Sequence, residues 1–205
     1  LHSGQTCGFF SNNCPMDNLY NEVYFVDYIK YHIIPEYGDN IVIVAPDEGA
    51  VKSATRVSGK LNVSAATIFK NRERANVVGS MCLMGDVRGK VAILIDDMID
   101  TAGTACKAAS ILKENGASYI FMLATHGLFS GPALERIKES AFNKIVVTNT
   151  VSQKSEILEC NKIKIIDVSW IIAEAIKRQH DGTSLSELYL NRDVLRNNTG
   201  ISFVN

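Results

Sequence analysis

The sequence predicts an α/β fold, a mostly parallel sheet flanked by helices that takes its ligands at the carboxyl ends of the strands. Two observations carry this. Short apolar runs alternate along the chain with stretches of helical period, strand then helix throughout. Residues 91–104, VAILIDDMIDTAGT, run an apolar strand into the acidic pair Asp96 and Asp97. A third carboxylate, Asp100, then opens a turn of small residues, Thr101, Ala102, Gly103 and Thr104, ahead of a helical pattern.

The first 18 residues, rich in Gly, Ser, Asn and Pro, read as loop. Asp17 or Asn18 caps a helix whose apolar face includes Leu19, Val23, Val26 and Ile33. Ile41–Ala45 is a fully apolar strand, and Pro46, Asp47, Glu48 and Gly49 turn it into a helix over residues 50–60. A strand over residues 65–69 ends in the charged segment 70–76, which lacks an apolar period and reads as a mobile loop. Residues 81–84 form an edge strand, and a turn at Arg88, Gly89 and Lys90 leads into the acidic-edge strand. The helix after Thr104 turns Ala105, Ala108 and Leu112 to the core and stops before Gly116. A strand over residues 119–124 ends at Thr125, His126 and Gly127, and Ser130, Gly131 and Pro132 start a helix that buries Leu134 and Ile137. Strands over residues 144–147 and 162–166, and a helix over residues 170–177 closed by Arg178, His180 and Gly182, complete the pattern. One domain over residues 1–190 and a tail over 191–205 are expected, with no internal repeat or interdomain linker.

Composition bounds the function. With 205 residues, 46% of them hydrophobic, and a formal charge of -1, the chain can bury a substantial core. A pI near 6.5 offers no global basic field for nucleic acid, although a local cationic loop can grip a small phosphate compound. Five cysteines, none in C-x-x-C spacing, point to neither a disulfide framework nor a zinc cage, and a reducing cytosol fits them best. No apolar run approaches the roughly 20 residues of a membrane span, and no charged-then-apolar leader is seen. The start at Leu1 rather than Met suggests a fragment or processed chain.

Two adjacent Asp residues at a strand end can be mere solvated turn formers, but the whole string argues for more. Carboxylates repel phosphate, so an acidic pair beside a phosphate-sized turn makes sense only if the pair meets hydroxyls or a metal ion. A ribose 5-phosphate satisfies both: Asp96 and Asp97 accept hydrogen bonds from ring hydroxyls, while the amides of Asp100, Thr101, Ala102, Gly103 and Thr104 receive the phosphate. The sequence G-x-x-x-x-G-K-[ST] occurs nowhere, so an ordinary P-loop nucleotide site is not expected. His126, at a strand end, reads as a structural hydrogen-bonding residue as readily as a chemical one.

The string resembles the phosphoribosyl pyrophosphate (PRPP) loop of type I phosphoribosyltransferases, and in the form DDMIDTAGT it is most similar to that of the ribose-phosphate pyrophosphokinase (PRPP synthetase) family. Further landmarks of that family follow in order: His2 with Gly8, Phe9 and Phe10; Asp17 to Tyr20; Pro46 and Asp47 with Gly49; Lys70 and Arg72 with Ala75 and Asn76; Thr125 to Pro132; and Val147 to Thr150. Family enzymes have two similar α/β halves, and this chain resembles the second. The resemblance implies a type I phosphoribosyltransferase-like fold. The implied reaction is transfer of the β,γ-diphosphoryl group of ATP to the 1-hydroxyl of ribose 5-phosphate, giving PRPP and AMP, in a cytoplasmic homo-oligomer that is a dimer-based hexamer in the family. It implies Lys70 and Arg72 as catalytic-loop cations, Mg²⁺ as cofactor with His2 and Asp47 at the metal and ATP site, and Asp17 as a further metal candidate. Ser184 and Ser186 resemble a serine pair at a regulatory phosphate site. The chain departs from the family at Ser11 to Cys14, a longer loop, and at Glu48, Gly49 and Ala50. A non-catalytic regulatory subunit associated with the synthetase, or a phosphoribosyltransferase that consumes PRPP, are the alternatives.

Overall fold

The computed structural model describes residues 1–71 and 80–190; Arg72 and the expected tail over 191–205 lie outside the described residues. Seven strands form one sheet: β1 Ile41–Ala45, β2 Ser64–Asn71, β3 Ser80–Met84, β4 Val91–Ile99, β5 Tyr119–Gly127, β6 Lys144–Thr148 and β7 Ile163–Ile166. Their spatial order is β3-β2-β1-β4-β5-β6-β7, and every pair is parallel except the edge hairpin of β2 with β3. The chain leaves β1 toward β2 on one side and returns to pair β4 on the other. The carboxyl ends of β1 and β4 therefore flank the point where the winding reverses, the place where open α/β sheets leave a crevice.

Helices cover both faces: α1 Glu22–Tyr28, α2 Ile34–Tyr37, α3 Val51–Leu61, α4 Gly103–Glu114, α5 Ala133–Glu139, α6 Ser155–Leu158, α7 Ser169–His180 and α8 Ser186–Leu190. Because successive strand side chains point to opposite faces, β4 feeds two cores. Ala92 and Leu94 join Ala108 and Leu112 of α4 and Ile137 of α5, while Ile93 and Ile95 join Phe25 of α1, Val57 of α3 and Phe121 and Leu123 of β5. Two-sided burial explains why β1 and the first five residues of β4 are wholly apolar.

Three local expectations are corrected. The first helix begins at Glu22, after Asn21, and not at Asp17 or Asn18. The Tyr20 N–H upstream is tied to the Tyr189 hydroxyl at 3.1 Å, and Asp17 accepts from Gln179 Nε2 at 2.9 Å. That helix passes through a π turn, Ile29–Ile33, immediately before Pro35, where a regular helix would clash with the pyrrolidine ring. In α5, Pro132 is the N-cap residue, so Ala133 and Ile137 are fully buried and Leu134 only partly. Strands also run longer than their apolar cores: β2 carries Lys70 and Asn71 within it, paired with Met81 and Ser80, where a mobile loop was expected.

Glu22 is a buried carboxylate in the first turn of α1, where the helix dipole favours negative charge, and Arg56 Nε of α3 donates to it at 2.6 Å. After β3, Gly85 adopts φ 118°, and a Cβ there would lie 2.7 Å from Ala66 Cβ and 3.0 Å from Ala66 Cα on β2. Replacement Gly85→Ala meets both the backbone penalty and the contact with a fully packed strand. Urea denaturation should show a loss of about 2–4 kcal/mol; an unchanged midpoint would contradict this packing.

Candidate functional site

The crevice at the winding reversal is a cavity of about 490 Å³. His2, Asp47, Asp96, Asp97, Asp100, Thr101, Ala102, Gly103 and Thr104 all line it, so nine residues singled out from three separate stretches converge there. The acidic pair does not end its strand: β4 continues to Ile99, with Asp96 beside Ala124 and Met98 beside His126 of β5. The strand thus holds both carboxylates rigidly.

Each carboxylate has a distinct environment. Asp96 Oδ1 accepts from the Asp97 N–H at 2.9 Å, and Asp97 Oδ2 pairs with His2 Nδ1. Asp47 Oδ1 accepts from the Gly49 and Ala50 N–H groups at 3.0 and 3.3 Å, an Asx turn that starts α3. Burial pushes the Asp96 carboxyl up to about 7; the Asp97 N–H opposes that shift, and the charges of Asp97 and Asp47 add to it. Three hard oxygen donors that repel one another across one cavity suit a cation such as Mg²⁺, which takes few protein ligands and completes its shell with phosphate and water. Among the described residues no group of three His, Cys, Asp or Glu side chains forms a preformed cage.

Beyond the pair the chain turns through Ala102, buried in the left-handed conformation at φ 58° and ψ 6°, and α4 starts at Gly103. Gly103 and Thr104 are therefore the first helical turn and not a loop ahead of it. Their N–H groups have no intrahelical acceptor, which is the electrostatic basis of anion binding at a helix start. A second cavity, about 120 Å³, adjoins on the other side of Asp96 and Asp97 and is lined by Tyr20, Arg56, Thr125 and His126 among others. His126 Nδ1 meets Thr150 Oγ1 at 2.7 Å, and burial lowers its pKa, so the ring is neutral at pH 7. Its structural hydrogen bond is real, and it also faces the acidic pair.

The Lys70 backbone belongs to β2. Neither Ser184 nor Ser186 lines these cavities; the Ser184 carbonyl accepts from Arg178 Nη1 at 2.8 Å, and Ser186 opens α8. Ser53 of α3 lines both cavities and Arg56 the smaller, and nothing in their local sequence pattern announced either.

The raised Asp96 value makes a signed prediction. The folded form holds a proton that the unfolded chain, with an ordinary value near 3.8, releases. The resulting stabilisation is complete below pH 4 and is lost as pH rises through about 7. Asp96→Asn removes this dependence. Urea denaturation should find the variant more stable than the parent at pH 8 by on the order of 2 kcal/mol, discounted for partial solvent access, with the gap closing toward pH 4. A pH-independent difference would refute it.

Comparison with known proteins follows the same lines. Residues 72–190, more than half the chain, match the phosphoribosyl synthetase-associated domain family. The crystal structure of phosphoribosylpyrophosphate synthetase from Mycobacterium smegmatis superposes with a TM-score of 0.79 and 33% identity, covering 89% of this chain and 57% of that one. The chain thus spans a little over half the length of that enzyme. An adenine phosphoribosyltransferase from Trypanosoma brucei is also similar, at 20% identity and TM-score 0.43 over 56% of this chain and 54% of that one. A purine phosphoribosyltransferase from Pyrococcus horikoshii matches at 18% identity and TM-score 0.40, over 66% and 79% respectively. A mostly parallel sheet that brings an acidic strand end and the start of α4 together at its winding reversal, with the family match over residues 72–190 and the 33% identity to the synthetase, leads to one conclusion: the chain belongs to the phosphoribosyl synthetase-associated domain family.

Proposed function

We propose that this chain is the ribose 5-phosphate-binding half of a ribose-phosphate diphosphokinase, which transfers diphosphate from ATP to the 1-hydroxyl of ribose 5-phosphate and gives PRPP and AMP. The observation that carries the reading is the meeting of Asp96 and Asp97 with the turn from Asp100 to Thr104 on one cavity. Asp96 and Asp97 accept from the ring 2- and 3-hydroxyls, and the N–H groups of the turn and of the α4 start take the 5-phosphate. The sugar is thereby held by both ends, which leaves its 1-hydroxyl free to be aimed at a second substrate.

Phosphoryl transfer to that hydroxyl needs alignment and neutralisation of anionic oxygens more than covalent help. Asp47 and His2 would hold Mg²⁺, with its remaining positions filled by phosphate oxygens; bound there, the ion supplies charge neutralisation and orientation. Lys70 and Arg72 supply further positive charge to the transferring group. Ser184 and Ser186 belong to a regulatory phosphate site apart from this cavity. The working form is a cytoplasmic homo-oligomer in which a first α/β half, or a neighbouring subunit, contributes ATP-binding surface. A second reading, a synthetase-associated subunit without turnover of its own, is favoured by the name of the matching family. AMP formation that depends on both ATP and ribose 5-phosphate decides between them, and pyrophosphate released with a nucleobase would instead indicate a phosphoribosyltransferase.

Two measurements test the assignments. The double variant Asp96→Asn, Asp97→Asn should retain its circular dichroism spectrum and lose ribose 5-phosphate binding by calorimetry; full affinity would remove the pair from the site. In a chain that carries out the reaction, Lys70→Ala should cut kcat about a hundredfold or more with KM little changed, as for a group acting in the transition state. An unaltered rate would exclude it.

A further inference from the structure

Three consecutive carbonyls at the start of the anion-binding turn are all held by one segment on the far side of it. The Ile99 carbonyl accepts from the Leu128 and Phe129 N–H groups at 2.8 and 3.3 Å, and the Asp100 carbonyl from the Ser130 N–H at 3.2 Å. The third, that of Thr101, accepts from a side chain: Arg136 Nη1 of α5, at 2.9 Å. In a trans peptide the C=O and the following N–H point in opposite directions. Drawing these carbonyls toward β5 and α5 therefore turns the N–H groups of Asp100, Thr101 and Ala102 the other way, and those three residues line the cavity. The left-handed Ala102, a conformation that costs a non-glycine residue about 1–2 kcal/mol, directly follows the carbonyl that Arg136 holds. Arg136 itself is not among the residues lining the cavity.

We infer that Arg136 is a positioning residue for the anion-binding turn: by holding the Thr101 carbonyl it presents the turn's N–H groups to the bound phosphate without touching it. This rests on the proposed phosphate role of the turn and extends it to a residue 35 positions away in sequence. The local backbone pattern supports the division. Leu128, Phe129 and Ser130 hold the Ile99 and Asp100 carbonyls through main-chain N–H groups that side-chain truncation leaves in place, whereas the Thr101 carbonyl depends on one side chain. Loss of that donor frees the peptide to rotate and removes the preorganisation of the turn.

The test uses the whole chain with two probes, ribose 5-phosphate and inorganic phosphate, and two variants. Arg136→Met keeps the aliphatic stem and loses the donors; Arg136→Lys keeps a donor and the charge. The expected result is about tenfold weaker binding of both probes by Arg136→Met, as for loss of one charge-assisted hydrogen bond, with most of the affinity recovered in Arg136→Lys. The ratio of variant to parent should persist at high salt, since a buttress acts at contact range and a remote charge would be screened. Unchanged affinity in Arg136→Met, no recovery in Arg136→Lys, or a loss that vanishes at high salt would each overturn the inference. The two levels separate cleanly: if the parent binds phosphate and not ribose 5-phosphate, the sugar assignment fails while the phosphate series still judges Arg136. A parent that binds neither sinks both.

Discussion

Everything about the site depends on the two-sided burial of β4. A strand covered on both faces has no solvated position along its length, and its first five residues are accordingly apolar. Polar chemistry can enter only where the strand outruns its covering helices, and that occurs at the carboxyl end, in the crevice opened by the reversal of winding between β1 and β4. Asp96 and Asp97 occupy that end while still hydrogen-bonded into the sheet beside β5. The backbone ladder therefore supplies the rigidity that a flexible loop could not, and the same geometry brings the Asp47 turn after β1 to the opposite wall.

Such placement has a cost in stability. Asp96 is partly desolvated and lies close to two like charges, so at neutral pH the empty site is electrostatically frustrated, and the proton held by Asp96 relieves it. Ring hydroxyls, a divalent cation or both would relieve it as well, which makes the binding partner a stabilising element of the fold. The turn that follows has the opposite character, with N–H groups free at the start of α4 and a strained Ala102. Within nine residues, 96–104, an acidic pair and a helix start of opposite electrostatic character thus line one cavity.

The likeness to a phosphoribosylpyrophosphate synthetase extends over most of this chain and a little over half of that enzyme.

Much of this was legible in the sequence. Strand and helix alternation, the apolar runs at Ile41–Ala45 and in β4, and the cavity-lining residues Asp96, Asp97 and Asp100 to Thr104 are local signals, set by side-chain period and residue chemistry, whereas His2 and Asp47 stood out only through the family resemblance. The limits of the elements were less legible: β2 runs on through Lys70 and Asn71, and the first helix waits until Glu22, because strand pairing and contacts from Tyr189 and Gln179 outweigh local propensity. Tertiary structure alone decided which distant side chains meet around the cavities. Arg136 reaches Thr101 across 35 residues, Arg56 neutralises Glu22 across 34, and His126 comes to face the acidic pair because β5 lies parallel to β4 in register. A contact between elements far apart in the chain leaves no periodic trace in either segment, so it becomes visible only when the sheet order has placed the two side by side.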